Sequence, residues 1–163
     1  MQAIVKAIQL TKGQVALVDD QDFENLSEFK WCATWNPYTR SYYAVRSFRI
    51  AGKSHTIIMH REILGLKYGD GVIGDHRNGQ TLDNTRENLR AATPGESQRN
   101  RGLQRNSKTG FKGVHRRGAT KYAARIMFNG KRIHLGIRNT PEEAHALYCD
   151  AALALYGEFA RRA

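Results

Sequence analysis

Lys121-Tyr122-Ala123-Ala124-Arg125-Ile126-Met127-Phe128-Asn129-Gly130-Lys131-Arg132-Ile133-His134-Leu135-Gly136 reads as two strands about a hairpin turn. Asn-Gly at its centre is the strongest short hairpin signal, because both positions accept the positive φ of a type I′ turn. Working outward, Gly113-Val114-His115-Arg116-Arg117 supplies a third short strand upstream, and a helix follows downstream. Thr140 can cap that helix, Pro141 suits its first position, Glu143 completes a capping box and Glu142 favours the positive end of the dipole. Ala144, Leu147, Tyr148, Ala151, Ala152 and Leu155 recur at helical spacing, so one face of the sheet is covered by the helix before Gly157 ends it. The other face is free to display Arg and Lys.

Upstream of this segment, Gln98 to Ser107 is polar, basic and poor in apolar residues, which predicts a linker. The expected division is therefore residues 1–105, with the basic linker from about 98, followed by residues 106–163. Charge follows the same division. Of 163 residues, 26 are Lys or Arg and 15 Asp or Glu, for a formal charge of +11. Residues 106–163 hold 11 basic and 4 acidic side chains, so +7 of that surplus lies there. A surplus of this kind is most simply matched to a polyanion, because phosphate contacts release condensed counterions. At 40% hydrophobic and 25% charged, the chain has the composition of a folded protein and wholesale disorder is excluded.

The two cysteines, Cys32 and Cys149, have no CxxC partners, which argues against a zinc ribbon or a disulfide scaffold and fits a reducing cytoplasm. No apolar run approaches the ~18 residues of a membrane span, and Met1-Gln2-Ala3-Ile4 lacks the basic start of a signal peptide. In the N-terminal third, Ile8–Leu10 and Val15–Val18 flank a Gly-containing turn, Asp22–Lys30 reads as a short helix, and Tyr42–Ile50 turns at Ala51-Gly52-Lys53 into Thr56–Met59. Arg46 and Arg49 fall on the polar face of that second hairpin, which either tracks DNA or is simply solvated. Trp31 and Trp35 are expected as core anchors, His60 as a packing or loop-bracing residue rather than a second base, and His55 and His145 as exposed.

The centre of the chain runs Ile73-Gly74-Asp75-His76-Arg77-Asn78-Gly79, then Leu82-Asp83-Asn84-Thr85-Arg86-Glu87-Asn88-Leu89-Arg90. Asp75 offers a hard oxygen to a divalent cation, and His76 an imidazole able to accept a proton near neutrality. Metal-assisted phosphodiester hydrolysis needs both a base for water and a cation for the leaving oxygen.

With Met59-His60-Arg61-Glu62-Ile63-Leu64-Gly65-Leu66 before it and Thr93 and Arg99-Asn100-Arg101 after it, this stretch resembles the HNH nuclease family in its phage and homing-endonuclease branch, over residues 1–101. The resemblance implies a ββα-metal site with His76 as general base, Asp75 holding Mg²⁺ or another divalent cation, and Asn84 bracing the loop. It also implies a second ligand near the start of the next helix. Ser97 stands where an Asn or His is usual, with Glu96 beside it and Asn100 three residues on as substitutes.

The C-terminal segment resembles the AP2 DNA-binding domain over residues 106–161. Gly110-Phe111-Lys112-Gly113-Val114, Tyr122-Ala123-Ala124-Arg125-Ile126, Leu135-Gly136, Thr140-Pro141-Glu142-Glu143-Ala144, Tyr148, Asp150-Ala151-Ala152 and Gly157, Phe159, Ala160 stand in family order. In that family the sheet enters the major groove, which implies contacts from Lys112, His115, Arg117, Arg125, Arg132 and His134. Arg99, Arg101 and Arg105 of the linker are expected to follow the duplex backbone. His134, Arg125 and His115 replace the usual Trp, Glu and Arg of the plant members, so the plant target does not transfer.

The expected fold class is thus α+β: a β-rich HNH module followed by a three-stranded antiparallel sheet packed on one helix. The expected function is that of a homing-type, metal-dependent endonuclease. It would act on double-stranded DNA, as a monomer, in the cytoplasm of a bacterial or phage-infected cell. The alternative is a non-catalytic DNA-binding protein or regulator with a degenerate HNH site. An RNA-binding protein would explain the charge but not Asp75 and His76.

Overall fold

The computed structural model describes residues 4–161 and divides the chain into two compact units, Met1–Pro94 and Gly95–Ala163. Met1, Gln2 and Ala3 lie outside the described residues, as do Arg162 and Ala163. The architecture is α+β, with several small antiparallel sheets and few helices.

In the first unit, β1 (Val5–Gln9) and β2 (Val15–Asp19) pair from Val5↔Asp19 to Gln9↔Val15. Helix α1 (Asp20–Ser27) follows, starting and ending earlier than the sequence suggested. A second antiparallel sheet has the order β3 (Cys32–Asn36), β4 (Ser41–Ile50), β5 (Lys53–Ile58). Its β4–β5 turn puts Ala51 and Gly52 at φ 47° and 77°, the primed geometry that matches strand twist. Helix α2 (Met59–Ile63) buries Met59, His60 and Ile63. These elements enclose one core of Ile8, Ala16, Val18, Leu26, Trp31, Ala44, Met59, Ile63 and Leu89. Trp31 anchors it and donates its indole N–H to Leu26 O at 2.8 Å, so its one polar atom is satisfied. Trp35 is not a second anchor: it lies on the edge strand β3 and is 46% exposed.

The last hairpin of this unit positions the site. Strands β6 (Ile73–His76) and β7 (Leu89–Ala92) pair with Asp75 opposite Arg90 and His76 opposite Leu89. Gly74 on β6 is needed for a steric reason, since a Cβ there would sit 2.3 Å from His60 Cδ2.

Helix α3 (Pro94–Arg99) begins at the division between the units and takes in Gln98 and Arg99 of the segment expected as linker. Beyond it, β8 (Val114–Arg117), β9 (Lys121–Phe128) and β10 (Lys131–Arg138) form a three-stranded antiparallel sheet of order β10-β9-β8. Asn129 and Gly130 turn at φ 48° and 74°, as their sequence predicts. Helix α4 (Pro141–Tyr156) covers one sheet face, burying Ala144, Tyr148, Ala152 and Tyr156. Thr140 Oγ1 accepts from Glu143 N at 3.2 Å, and the Glu143 carboxylate reaches back to Asn139 N at 3.3 Å. Gly113, at φ 74°, lets the backbone approach Tyr148, whose ring would lie 2.0 Å from any Cβ there. No helix among the described residues is long and apolar enough to cross a membrane.

Candidate active site and nucleic-acid interface

His76 ends β6 and is buried at 5% exposure. Its Nε2 lies 3.3 Å from Asn84 Oδ1. A carbonyl oxygen only accepts, so this bond requires the proton on Nε2 and leaves Nδ1 as the basic nitrogen. Burial pushes the His76 imidazole below its ordinary range, against the opposing pull of the Asn84 bond and of Asp75 and Asp83. Desolvation disfavours the charged ring, so His76 is neutral at pH 7, as a proton acceptor must be.

Asn84 is held by backbone on both sides. Its N–H donates to Leu17 O at 2.8 Å, Leu17 N donates to Leu82 O at 2.9 Å, and its own amide donates to Leu82 O at 3.3 Å. The loop it occupies is also pinned from within. Asn88 Oδ1 accepts from Asn78 N at 2.9 Å while Asn88 Nδ2 donates to Asp83 O at 2.7 Å, which is the backbone tie its position suggested. Asp83 accepts from Asn78 Nδ2 and from Thr85 Oγ1, both at 2.8 Å. Arg86 clamps the loop to the first unit's edge through Asp22, at 2.6 and 2.7 Å, and its backbone N–H reaches Asp19 Oδ2 at 2.7 Å. Asn84 itself is 1% exposed, so the atom facing His76 is fixed.

Asp75 is buried at 6% exposure and pairs with Arg90 across the hairpin. Arg90 Nε and its terminal nitrogen reach the same oxygen, Oδ2, at 2.9 and 2.8 Å. A buried carboxylate is costly unless paired, and this guanidinium offsets that cost. A hard carboxylate oxygen donor next to a neutral imidazole in the chain fits Mg²⁺, which takes few protein ligands and keeps much of its water. Of the other expected ligands, Glu96 and Ser97 stand half-buried on α3, and Asn100 follows it, buried, with its N–H bonded to Glu96 O at 3.2 Å. Among the described residues, no three His, Cys, Asp or Glu side chains gather as a metal cage.

Sequence reasoning missed two neighbours. His60 is 6% exposed, with its ring 4.9 Å edge-on from that of His76, and Tyr43 stands 5.7 Å from His60 and 6.2 Å from His76. Burial, with His76 and Arg61 adding to it, pushes the His60 imidazole down to about 3, so this ring too is neutral. Gly74 carried a usable signal: a glycine inside a strand marks a close approach. Arg90 carried none, since its partnership depends on the β6–β7 register.

On the second unit, the sheet face away from α4 brings together most of the residues expected to meet DNA. His134 pairs with Arg125, Arg132 with Met127, His115 with Ala123 and Arg117 with Lys121, and residues directly opposite share a face. Burial together with the nearby Arg125 and Arg132 charges lowers the His115 imidazole. Arg117, Lys121, Arg138 and Asn139 line a basic recess of about 570 Å³ at the same sheet. Lys112 is elsewhere. Its Nζ donates to Arg99 O and Arg101 O at 2.7 and 2.6 Å, and burial pushes its ammonium down to about 8. Arg99 lies over the Tyr156 ring at 5.1 Å, whereas Arg101 and Arg105 are exposed.

Two minor expectations change. Arg46 does not face solvent freely: its guanidinium forks onto Glu62 at 2.8 and 3.3 Å and stacks on Phe29 at 3.8 Å. His145 is half-buried, with Nδ1 3.0 Å from Lys112 O, while His55 is exposed as expected.

Among known proteins, the chain is 32% identical over 151 residues to one from Acanthamoeba polyphaga mimivirus described as an uncharacterized HNH endonuclease. The match covers 91% of this chain and 74% of that protein. No family model and no solved structure matches.

Proposed function

This chain belongs to the HNH endonuclease family, and on that premise we propose that it is a homing-type DNA endonuclease dependent on a divalent metal, with His76 as general base. The observation that carries the reading is the His76–Asn84 bond, which fixes a buried neutral imidazole with its basic nitrogen assigned. In the proposed reaction, a water beside the scissile phosphate loses its proton to His76 Nδ1 as its oxygen attacks phosphorus, and the bond to the leaving oxygen breaks. Asn84 holds the ring in the required tautomer. Asp75, positioned by Arg90, would hold the metal with help from Ser97, Glu96 or Asn100. Mg²⁺ at such a site supplies stabilisation of the charge developing on the leaving oxygen.

The second unit would supply target recognition. The AP2-like arrangement is supported by a three-stranded sheet with one face under α4 and the other lined by Arg117, Arg125 and Arg132. Arg can fork onto guanine O6 and N7, and the exposed cations of the recess suit phosphates. Ser97 favours a second reading, a DNA-binding regulator with a degenerate site, because a neutral hydroxyl is a poor substitute for an amide ligand.

Incubating long DNA with wild type or His76→Ala, in Mg²⁺ or in EDTA, separates the two. Cleavage should require metal and fall about 10²- to 10⁴-fold in the variant, with DNA affinity nearly intact. Unchanged cleavage by His76→Ala overturns the base assignment. Metal-independent binding with no cleavage by the wild type favours the regulator.

A further inference from the structure

Helix α4 carries a side-chain pair that the reaction above does not use. His145 and Cys149 lie one turn apart on it, where side chains meet on one face. Cys149 Sγ stands 3.4 Å from His145 Nε2, and His145 Nδ1 stands 3.0 Å from Lys112 O. A carbonyl oxygen only accepts, so the bond to Lys112 O places a proton on Nδ1 and leaves the Nε2 lone pair facing the thiol. The S–H of Cys149 is therefore the donor in that contact. The ring has little freedom to turn, because Phe111 packs against it at 5.1 Å and Tyr148 stacks at 5.9 Å with 12° between the planes. An activated nucleophile needs this arrangement: a thiol on a base whose other nitrogen is held by a third group. Cationic charge stands close as well. Burial and the Arg161 charge lower the Lys112 ammonium to about 8, while charge on Cys149 pulls it back up. Lys112 is thus still protonated at pH 7 and near enough to the sulfur to favour its ionised form. Cys149 is half-buried, whereas Cys32 is exposed on the edge strand β3 with no imidazole bonded to it among the described residues.

We propose that Cys149 is a modification site: a thiol activated by His145 that forms a mixed disulfide with small-molecule disulfides. The proton on Sγ passes to His145 Nε2, and the thiolate attacks one sulfur of the small disulfide. The new S–S bond forms as the old one breaks, and the departing sulfur leaves with the proton from Nε2. Cys149 is oxidised, and the released half of the reagent is reduced to a thiol. Residues 95–163 hold no second cysteine, so no disulfide can follow within the second unit and the adduct stays until an external thiol removes it. A cysteine that only fills space packs as a small hydrophobe and has no use for an oriented ring nitrogen. Zinc, the other partner a Cys–His pair could take, needs at least three protein ligands, and no three His, Cys, Asp or Glu side chains gather among the described residues. The pair borders the basic segment, since Lys112 Nζ donates to Arg99 O and Arg101 O at 2.7 and 2.6 Å. A mixed disulfide on Cys149 would therefore sit beside the anchor of that segment. No residue of the His76 centre takes part, so the site goes beyond the nuclease reading.

The test exposes the full chain to oxidised glutathione at pH 7, folded and in urea, and follows the mixed disulfide at each cysteine by peptide mass spectrometry. An unassisted thiol is only about 3% ionised at pH 7, so a base can raise the rate by up to ~30-fold, less the weaker nucleophilicity of a readily ionised sulfur. Folded Cys149 should therefore react roughly 3- to 30-fold faster than the same residue in urea, although burial alone would make it slower. Cys32 reports what urea does to the reagent, and the Cys149 ratio is read relative to it. His145→Gln can still donate to Lys112 O but has no basic nitrogen, so it should slow folded Cys149 by a similar factor. Far-UV circular dichroism shows whether that variant is folded, and if it is not, the wild-type ratio decides alone. A folded Cys149 no faster than the unfolded one, or an undiminished rate in folded His145→Gln, overturns the site.

Discussion

Lowering the pH should destabilise the first unit through His60, and the size of the effect follows from the structure. Burial takes the His60 imidazole from 6.5 to about 3 on folding. Between those values the unfolded chain binds a proton that the folded chain refuses, so stability falls as pH falls. Each pH unit inside that window removes about 1.4 kcal/mol, so going from neutral pH to pH 5 costs ~2 kcal/mol through this residue. That is a large share of the 5–15 kcal/mol that typically separates folded from unfolded states. Both tryptophans, Trp31 and Trp35, lie in the first unit, so urea unfolding followed by their fluorescence reports that unit. Wild type and His60→Gln should be compared at pH 7.5 and pH 5. Glutamine does not titrate, so the variant should lose about 2 kcal/mol less than the wild type over this interval, whatever its stability at either pH. His76 is lowered in the same direction and its charge acts on His60, so the same comparison is made in a His76→Gln background, where only His60 differs. Equal losses in the two proteins would show that His60 takes up a proton without unfolding, and the account of a sealed neutral ring would be wrong.

Removing the guanidinium partner of Asp75 by Arg90→Met should destabilise the first unit by roughly 3–5 kcal/mol in the same urea assay, because a buried carboxylate is left uncompensated. Arg90→Lys should recover only part of that, since an ammonium cannot make the forked contact. Gly113→Ala should lower the melting temperature of the second unit, costing roughly 1–3 kcal/mol from the clash with Tyr148 alone. Gly118→Ala, with the same left-handed backbone in open space, should cost less. Arg125→Ala should reduce discrimination between target and non-target duplex by about 1–3 kcal/mol if that side chain reads a base. Equal weakening on all duplexes would assign it to a phosphate instead.

Features set by neighbouring residues were legible in the sequence. Asn129-Gly130 declares its turn because positive φ is a property of those two residues, and Thr140 with Glu143 declares a helix start because the cap closes within one turn. The α4 stripe and the Asp75-His76 pair were visible for the same reason. What depended on distant partners was not. Arg46 looked like a solvated or DNA-tracking cation because Glu62 on α2 and Phe29 just past α1, which hold it, are brought to it from 16 and 17 residues away. Trp35 looked like core because composition does not say that β3 is an edge strand. Gln98 and Arg99 looked like linker because a short polar helix has no apolar stripe to reveal it.

The pairing of Asp75 with His76 shows why the site had to be read from both levels. Successive strand residues point to opposite faces, so two adjacent functional side chains on one strand cannot share a face within it. The register bears this out: Asp75 stands opposite Arg90, whereas His76 stands opposite Leu89, a member of the hydrophobic core. A shift of one residue would exchange the two, setting the carboxylate against the core and the imidazole against a guanidinium. Arg77 N bonding Asn88 O at 2.8 Å, and Asn78 N bonding the Asn88 side chain, continue the pairing beyond the strands and resist that shift. Two groups on opposite faces can serve one phosphate only where the strand ends, and His76 is the last residue of β6. Asn84 and Asn88 therefore act on the site by fixing where the strand stops, as well as by touching His76 or its loop.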